Sequence, residues 1–166
     1  MIHRFGDMFE DDCDITVITT NASKKVNGEI VMGRGAAKRA TELYPHIAHD
    51  FGMCLPDDRR VPATKDSEIP SYIYPYGFFV TNTINKENLI CRMGAFQVKY
   101  GWWQQASLEL IEISTVLLNT FARDNSTFRI NMNYPGIGNG WLKIEDVAPL
   151  LETLPDNVNV WRWKKE

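Results

Sequence analysis

The sequence predicts an α/β fold in layers, with a largely parallel sheet and helices on both of its faces. Short β-branched segments alternate with amphipathic helical ones along the chain. Two glycine-rich turns each stand between an apolar stretch and a helix pattern, where open α/β sheets hold ligands beyond the carboxyl ends of their strands. The length of 166 residues, 44% hydrophobic and 11% aromatic, supports one substantial core and requires no second domain, so residues 1–166 are expected to form a single unit.

Each element has its own signal. "CDITVITT" (13–20) is short and β-branched, a buried-strand pattern that stops at Asn21. The turn-rich "NASKKVNGEI" follows. From Gly35, "GAAKRATELY" is a good helix former ending at Tyr44 before Pro45, and "HIAHDF" continues as another helical turn. The polar, Pro-containing 57–71 reads as an exposed loop. "YGFFVTNTI" and "LICRMGAFQVKY" read as a hairpin turning at "NKEN". Residues 103–122 form a long helix, its buried face drawn through Leu108, Ile111, Val116, Leu118 and Phe121. A strand "FRINMNY", a glycine loop, a helix through Ile144, Val147, Leu150, Leu151 and Leu154, and a strand "NVNVWRW" complete the order.

A formal net charge of −3 without a run of Lys or Arg argues against sequence-independent adhesion to nucleic acid. Three cysteines, Cys13, Cys54 and Cys91, at unrelated spacings suit a reducing compartment and read as core thiols. No apolar stretch reaches membrane-spanning length, and the acidic N-terminal segment lacks the apolar core of a signal peptide. A soluble, cytoplasmic, monomeric protein without a membrane partner is expected. His46 and His49 are three apart, but no Cys or carboxylate cluster completes a site at metal-ligand spacing, so no metal is expected.

"NYPGIGNGWLKIEDV" places Gly136, Gly138 and Gly140 within five residues before a helix. Glycines there permit positive φ and bring amides close to a ligand, and the helix behind adds the positive end of its dipole. That is a place for an anion. "VMGRGAAKRA" is a second such turn, with Gly33 and Gly35. Alone, either is an ordinary turn. On one sheet edge, the two could face each other across a diphosphate without a metal. Neither ends in GKS or GKT and neither makes GxGxxG, so the common nucleotide motifs are absent.

These residues resemble the macrodomains, which bind ADP-ribose and its derivatives. "FGDMFEDDCDITVITTNAS" (5–23) resembles the family's opening "GDIT" followed by "DAIVNAAN", with the Asp7 to Asn21 separation preserved. "VMGRGAA" resembles its first phosphate loop. "PGIGNGWLKIEDVAPLL" resembles "GCGNGGLDW-x-DV-x-PLI", the second loop as found in DNA ADP-ribosyl glycohydrolases, the antitoxin-like macrodomains. "FQVKYGWWQQASLELI" (96–111) resembles that group's "FPTKRHWR-x-x-S-x-L-x-x-I" and sets Lys99 on its catalytic lysine.

The resemblance implies a three-layer α/β/α macrodomain with a mixed, largely parallel central sheet. It implies that Asp7 accepts a hydrogen bond from the adenine amino group, with the Met8 backbone nearby, and that Asn21 meets the distal ribose. A composition reading would leave Asp7 a solvated acid and Asn21 an Asx turn, the latter compatible with ribose binding. Gly33, Arg34 and Gly35 would hold one side of the diphosphate, with the Arg34 side chain expected toward solvent. The other side falls to Gly136, Ile137, Gly138, Asn139, Gly140, Trp141 and Leu142. Lys99 beside "GWW" is expected to have a depressed pKa and to act on the anomeric carbon of the distal ribose. One of Trp161 and Trp163 is a candidate to stack on adenine.

Three departures qualify this pattern. Leu142 occupies the place of a second catalytic acid in some glycohydrolases, Ile18 replaces the His of ADP-ribose-1″-phosphate phosphatases, and Trp141 replaces a Gly. The expected function is removal of terminal ADP-ribose from a modified target, DNA first and protein next, with no cofactor and ADP-ribose as ligand or product. The rivals are a phosphatase acting on ADP-ribose-1″-phosphate and a non-catalytic binder of ADP-ribose or a related nucleotide. The resemblance also implies an association with defence conflicts.

Overall fold

The computed structural model describes residues 1–56, 60–62 and 71–163. Along the chain run β1 (Ile2–Phe5), β2 (Ile15–Asn21), β3 (Ser23–Lys25), α1 (Gly35–Leu43), α2 (Ile47–Met53), β4 (Val61–Pro62), β5 (Ser71–Ile73), β6 (Phe78–Ile84) and β7 (Ile90–Lys99). Then come α3 (Leu108–Asp124), β8 (Ile130–Asn133), α4 (Ile144–Leu151) and β9 (Val158–Arg162). Single 3-10 turns lie at Met8–Glu10 and Gly138–Gly140.

Six strands form the main sheet in the order β1-β9-β8-β2-β7-β6. All its pairs are parallel except β6 with β7, the expected hairpin, which makes an antiparallel edge. Alternation along the central strands divides the interior in two. On one face Ile15, Val17, Phe96, Val98, Ile130, Met132 and Val160 pack with Ile111 and Leu118 of α3 and Val147 and Leu151 of α4. On the other, Ile18, Met93 and Ala95 pack with Ala40 of α1 and Ile47 and Phe51 of α2. Helices on both faces of a mixed, mostly parallel sheet give the expected three layers.

Several local expectations are corrected. β1 was not foreseen: each of its residues is exposed, so no inside-outside alternation marks it. The loop expected over 57–71 lies largely outside the described residues, but its described parts, β4 and the start of β5, join β3 in a small antiparallel sheet. α3 begins at Leu108 rather than near 103, because the amides of Ala106 and Ser107 bond the carbonyls of Gly140 and Val98 and Ser107 caps the helix through Leu110 N–H. Its buried face centres on Leu110, Ile111, Ser114, Thr115, Leu118 and Ala122, leaving Leu108 and Val116 exposed. His46 is the residue before α2 rather than a member of it. The cysteines are free and only half-buried. No helix among the described residues is long and apolar enough to cross a membrane.

Candidate functional site

A cleft of about 470 Å³ opens over the C-terminal ends of β2, β7 and β8. Asn21 ends β2, Lys99 ends β7 and Asn133 ends β8, and all three line it. The register carries Thr20 opposite Gln97 but Asn21 opposite Lys99, a bulge that takes up Val98. Such an extra residue re-aims the side chain beyond it. The ends are then stitched together: Ala22 N–H reaches Lys99 O at 2.9 Å and Trp102 N–H reaches Ser23 Oγ at 3.0 Å.

The two glycine turns meet here. Gly35, at φ +58°, opens α1 so close to the second turn that a Cβ on it would stand 3.3 Å from Asn139 Nδ2. The α1 N-terminus has no side-chain cap, and Gly35, Ala36 and Ala37, whose N–H groups have no partner within the helix, line the cleft. The second turn has Gly136 at φ +76° and Gly138 at φ +69°. Leu142 N–H closes it on Gly136 O at 2.9 Å, and Gly140 packs so tightly that a Cβ would stand 2.9 Å from that of Ala106. Behind this turn α4 starts at Ile144, with Glu145 and Asp146 in its own first turn, and none of its residues lines this cleft. The helix end lining the cleft is that of α1.

Lys99 Nζ donates to Asn139 O at 3.3 Å. Burial, and secondarily the nearby Arg34 guanidinium, hold its amine below the usual lysine range. Arg34 is exposed, as expected, and is also among the residues that line the cleft. Asn21 makes the Asx turn, accepting from Ser23 N–H at 2.9 Å and donating to Val31 O at 2.8 Å. Asn133 accepts from Thr19 N–H and donates to Thr19 Oγ1, fixing β8 against β2. Among the described residues, no carboxylate lines the cleft.

A second hollow adjoins the first through Asn133 and Ile137 and is also lined by Tyr134, Gly138, Ile144, Trp161, Arg162 and Trp163. Tyr134 Oη, Trp161 Nε1 and Arg162 Nε are buried there without a hydrogen-bond partner among the described residues. Together the hollows form a trough running from β9 to β7.

Gly33, Arg34, Gly35, Asn21, Lys99, Gly136, Ile137, Asn139, Gly140 and Trp141 are thus gathered in the cleft, and Gly138 faces the second hollow. Asp7 and Met8 are outside both linings. Asp7 accepts from Phe9 N–H at 3.0 Å, capping the 3-10 turn, and Met8 is buried in the core. They still neighbour the second hollow, since Gly6 N–H bonds Arg162 O at 2.9 Å. Leu142 is likewise outside the lining and supports the turn from beneath, partly buried against Gly136. Ile18 is fully buried in the core. Thr19, Thr20, Asn133, Gln104 and Tyr134 were not anticipated; Thr and Asn at strand ends ordinarily signal turns, and only the sheet order aligns them. Among the described residues no group of three or more His, Cys, Asp or Glu could hold a metal ion.

No protein-family model matches this sequence, and no curated protein does. Solved structures do match in fold. The chain resembles the macrodomain of Mycobacterium tuberculosis DarG with TM-score 0.61 and 18% identity, covering 98% of this chain and 99% of that one. The macrodomain of Thermus aquaticus DarG gives 0.62 and 19%, over 99% and 97%. Thermosipho africanus DarTG in complex with ADP-ribose gives 0.62 and 19%, over 94% of this chain but 39% of that longer one. The fold is that of the macrodomains.

Proposed function

We propose that this macrodomain fold binds ADP-ribose and removes it, as a terminal group, from a modified target, with DNA favoured over protein. The observation that carries the reading is the meeting of the α1 N-terminus and the Gly138–Gly140 turn over a cleft that also holds Lys99. Backbone amides on two sides, described lining residues that include no carboxylate, and the cationic residues Arg34 and Lys99 suit a diphosphate. The neighbouring hollow, with Tyr134, Trp161, Arg162 and Trp163, has the aromatic and polar surfaces that an adenosine needs. The likeness to a DarTG structure that holds ADP-ribose supports the same ligand.

With the diphosphate so held, the distal ribose falls toward Asn21 and Lys99. The neutral Lys99 amine attacks C1″, and the C1″–aglycone bond breaks with its electron pair leaving on the aglycone. The adduct nitrogen releases a proton that neutralises the aglycone through solvent, and ring opening gives an imine. Water then adds to the imine carbon and the C–N bond breaks, returning the lysine and ADP-ribose. Depression of the Lys99 pKa raises the fraction of amine able to start this sequence.

The absence of a carboxylate among the described residues that line the cleft favours one second reading, a binder that sequesters ADP-ribose without turnover. Calorimetry with ADP-ribose, followed by incubation with ADP-ribosylated single-stranded DNA and ADP-ribosylated protein, separates the two for wild type and Lys99→Ala. Release by wild type but not by the binding-competent Lys99→Ala supports hydrolysis. Binding without release by either supports sequestration, and no binding at millimolar ADP-ribose removes both.

A further inference from the structure

The main sheet ends at β6, and among the described residues no strand pairs with its outer edge. The phase of the β6–β7 ladder decides which groups that edge offers. Gln97 N–H bonds Gly77 O at 2.8 Å and Asn85 N–H bonds Leu89 O at 3.0 Å, and the register between them is unbroken. In an antiparallel pair, alternate residues turn both backbone groups toward the partner strand. Gly77, Phe79, Thr81, Thr83 and Asn85 therefore face β7, while Phe78, Val80, Asn82 and Ile84 direct N–H and C=O outward. Edges that stay single are blunted by charges, Pro or bulges. Phe78–Ile84 has no charged residue, no Pro and no irregularity against β7.

An apolar patch stands at each end of this edge. At the hairpin tip Ile84, Leu89 and Ile90 are exposed, Ile90 by 77%. At the start of β6 the exposed Ile113, Val116 and Leu117 of α3 gather, so near that a Cβ on Gly77 would stand 2.9 Å from Leu117 Cδ1 and 3.2 Å from Ile113 Cγ2. Both patches lie on one side of the sheet. Phe78 packs edge to face on Phe121 of α3 at 5.6 Å, Ile84 follows Phe78 by an even number of residues, and Ile90 is the register partner of Ile84.

We propose that β6 pairs antiparallel with β6 of a second copy of this chain, joining the two main sheets across a two-fold axis at Thr81. In the register that overlaps the whole strand, Phe78 opposes Ile84 of the second copy, Phe79 opposes Thr83, Val80 opposes Asn82 and Thr81 opposes itself. Each outward backbone group then meets an outward group. No like charges face each other, and aromatic with β-branched residues and Thr with Thr are favourable cross-strand pairs. The same axis sets the hairpin tip of each copy beside the α3 patch of the other, so patches that one chain cannot bring together cover each other twice. This supplies the needed area. A seven-residue strand falls short of the roughly 20–30 residues a side of a stable interface, and the two patches extend it at both ends. The inference replaces the monomer expected from the sequence. No residue of β6, the hairpin tip or the α3 patch lines the cleft, so both clefts stay open and the pairing stands independently of the ADP-ribose reading.

Sedimentation equilibrium of the whole chain tests it. Wild type is expected to be a dimer at about 100 μM. Thr81→Lys and Thr81→Glu each set like charges directly opposite across the axis and are expected to give monomers, whereas an equimolar mixture of the two, with Lys opposite Glu, is expected to recover the dimer. That recovery also shows that the single variants are folded. Ile90→Ser, at the hairpin tip, is expected to weaken the wild-type dimer about tenfold through lost apolar burial. A wild-type protein that is monomeric at this concentration overturns the proposal. So does a dimer that survives both Thr81→Lys and Ile90→Ser, since it uses another surface, and so does a mixture of the two Thr81 variants that stays monomeric, since the strands then do not meet at Thr81.

Discussion

Lys99 carries the chemistry proposed here because its position changes its proton affinity. Partial burial disfavours the ammonium, and Arg34 adds like-charge repulsion. Both effects lower the pKa, so the reactive neutral amine becomes abundant at a lower pH than for a lysine in water. The hydrolysis rate is therefore expected to rise with pH through this depressed pKa and then level off. Arg34→Gln removes the repulsion and is expected to move the rise to higher pH, read from kcat against pH for both proteins. A profile unchanged by the substitution would exclude the electrostatic part of the argument. Asn21 shows how one residue meets two demands: its amide builds the Asx turn and still borders the cleft.

Elements deliver these side chains through their ends. The irregular pairing of β7 with β2 puts Lys99 opposite Asn21, and α1 begins at a glycine in the left-handed region because the second glycine turn lies directly against it. On the far layer, α2 depends on a close approach of a different kind. A Cβ on Gly52 would collide with the Gly28 carbonyl oxygen, so the turn before β-bridge residue Ile30 and the helix are pressed together. Ala is the better helix former by about 1 kcal/mol, yet Gly52→Ala is expected to destabilise the protein by about 3 kcal/mol through overpacking. Urea unfolding checks the sign: a midpoint equal to or above that of wild type would show that the packing here yields readily.

For the whole molecule, the sheet is the plate on which both halves of the trough rest. Phe96, fully buried in β7 and packed on the α3 and α4 side, lies three residues from Lys99 and links core density to site geometry. Phe96→Ala is expected to cost about 3–5 kcal/mol, a large share of the roughly 5–15 kcal/mol that holds such a domain folded. Chemical denaturation measures it, and a loss under 1 kcal/mol would mean that the layer repacks without the ring. β2, the β6–β7 hairpin and the helices were legible in the sequence because burial repeats with the period of each element. β1 was not, since an exposed edge strand has no buried face to reveal it, and β3, β4 and β5 are too short to establish a period.

By itself the sequence determined the layered α/β class and the two glycine turns, because composition, periodicity and short motifs are local properties of the chain; the proposal of Lys99 rests on the resemblance of its segment to the antitoxin-like macrodomains. Only the tertiary structure decided that α1 rather than α4 presents its N-terminus to the cleft, that Asp7 and Leu142 are outside its lining, and that Trp102, Trp103 and Trp141 line one cleft. Those outcomes depend on strand order and on one irregularity of register. They join residues far apart in the chain, Asn21 with Lys99 and Gly35 with Asn139 among them, and no short window of sequence contains both partners.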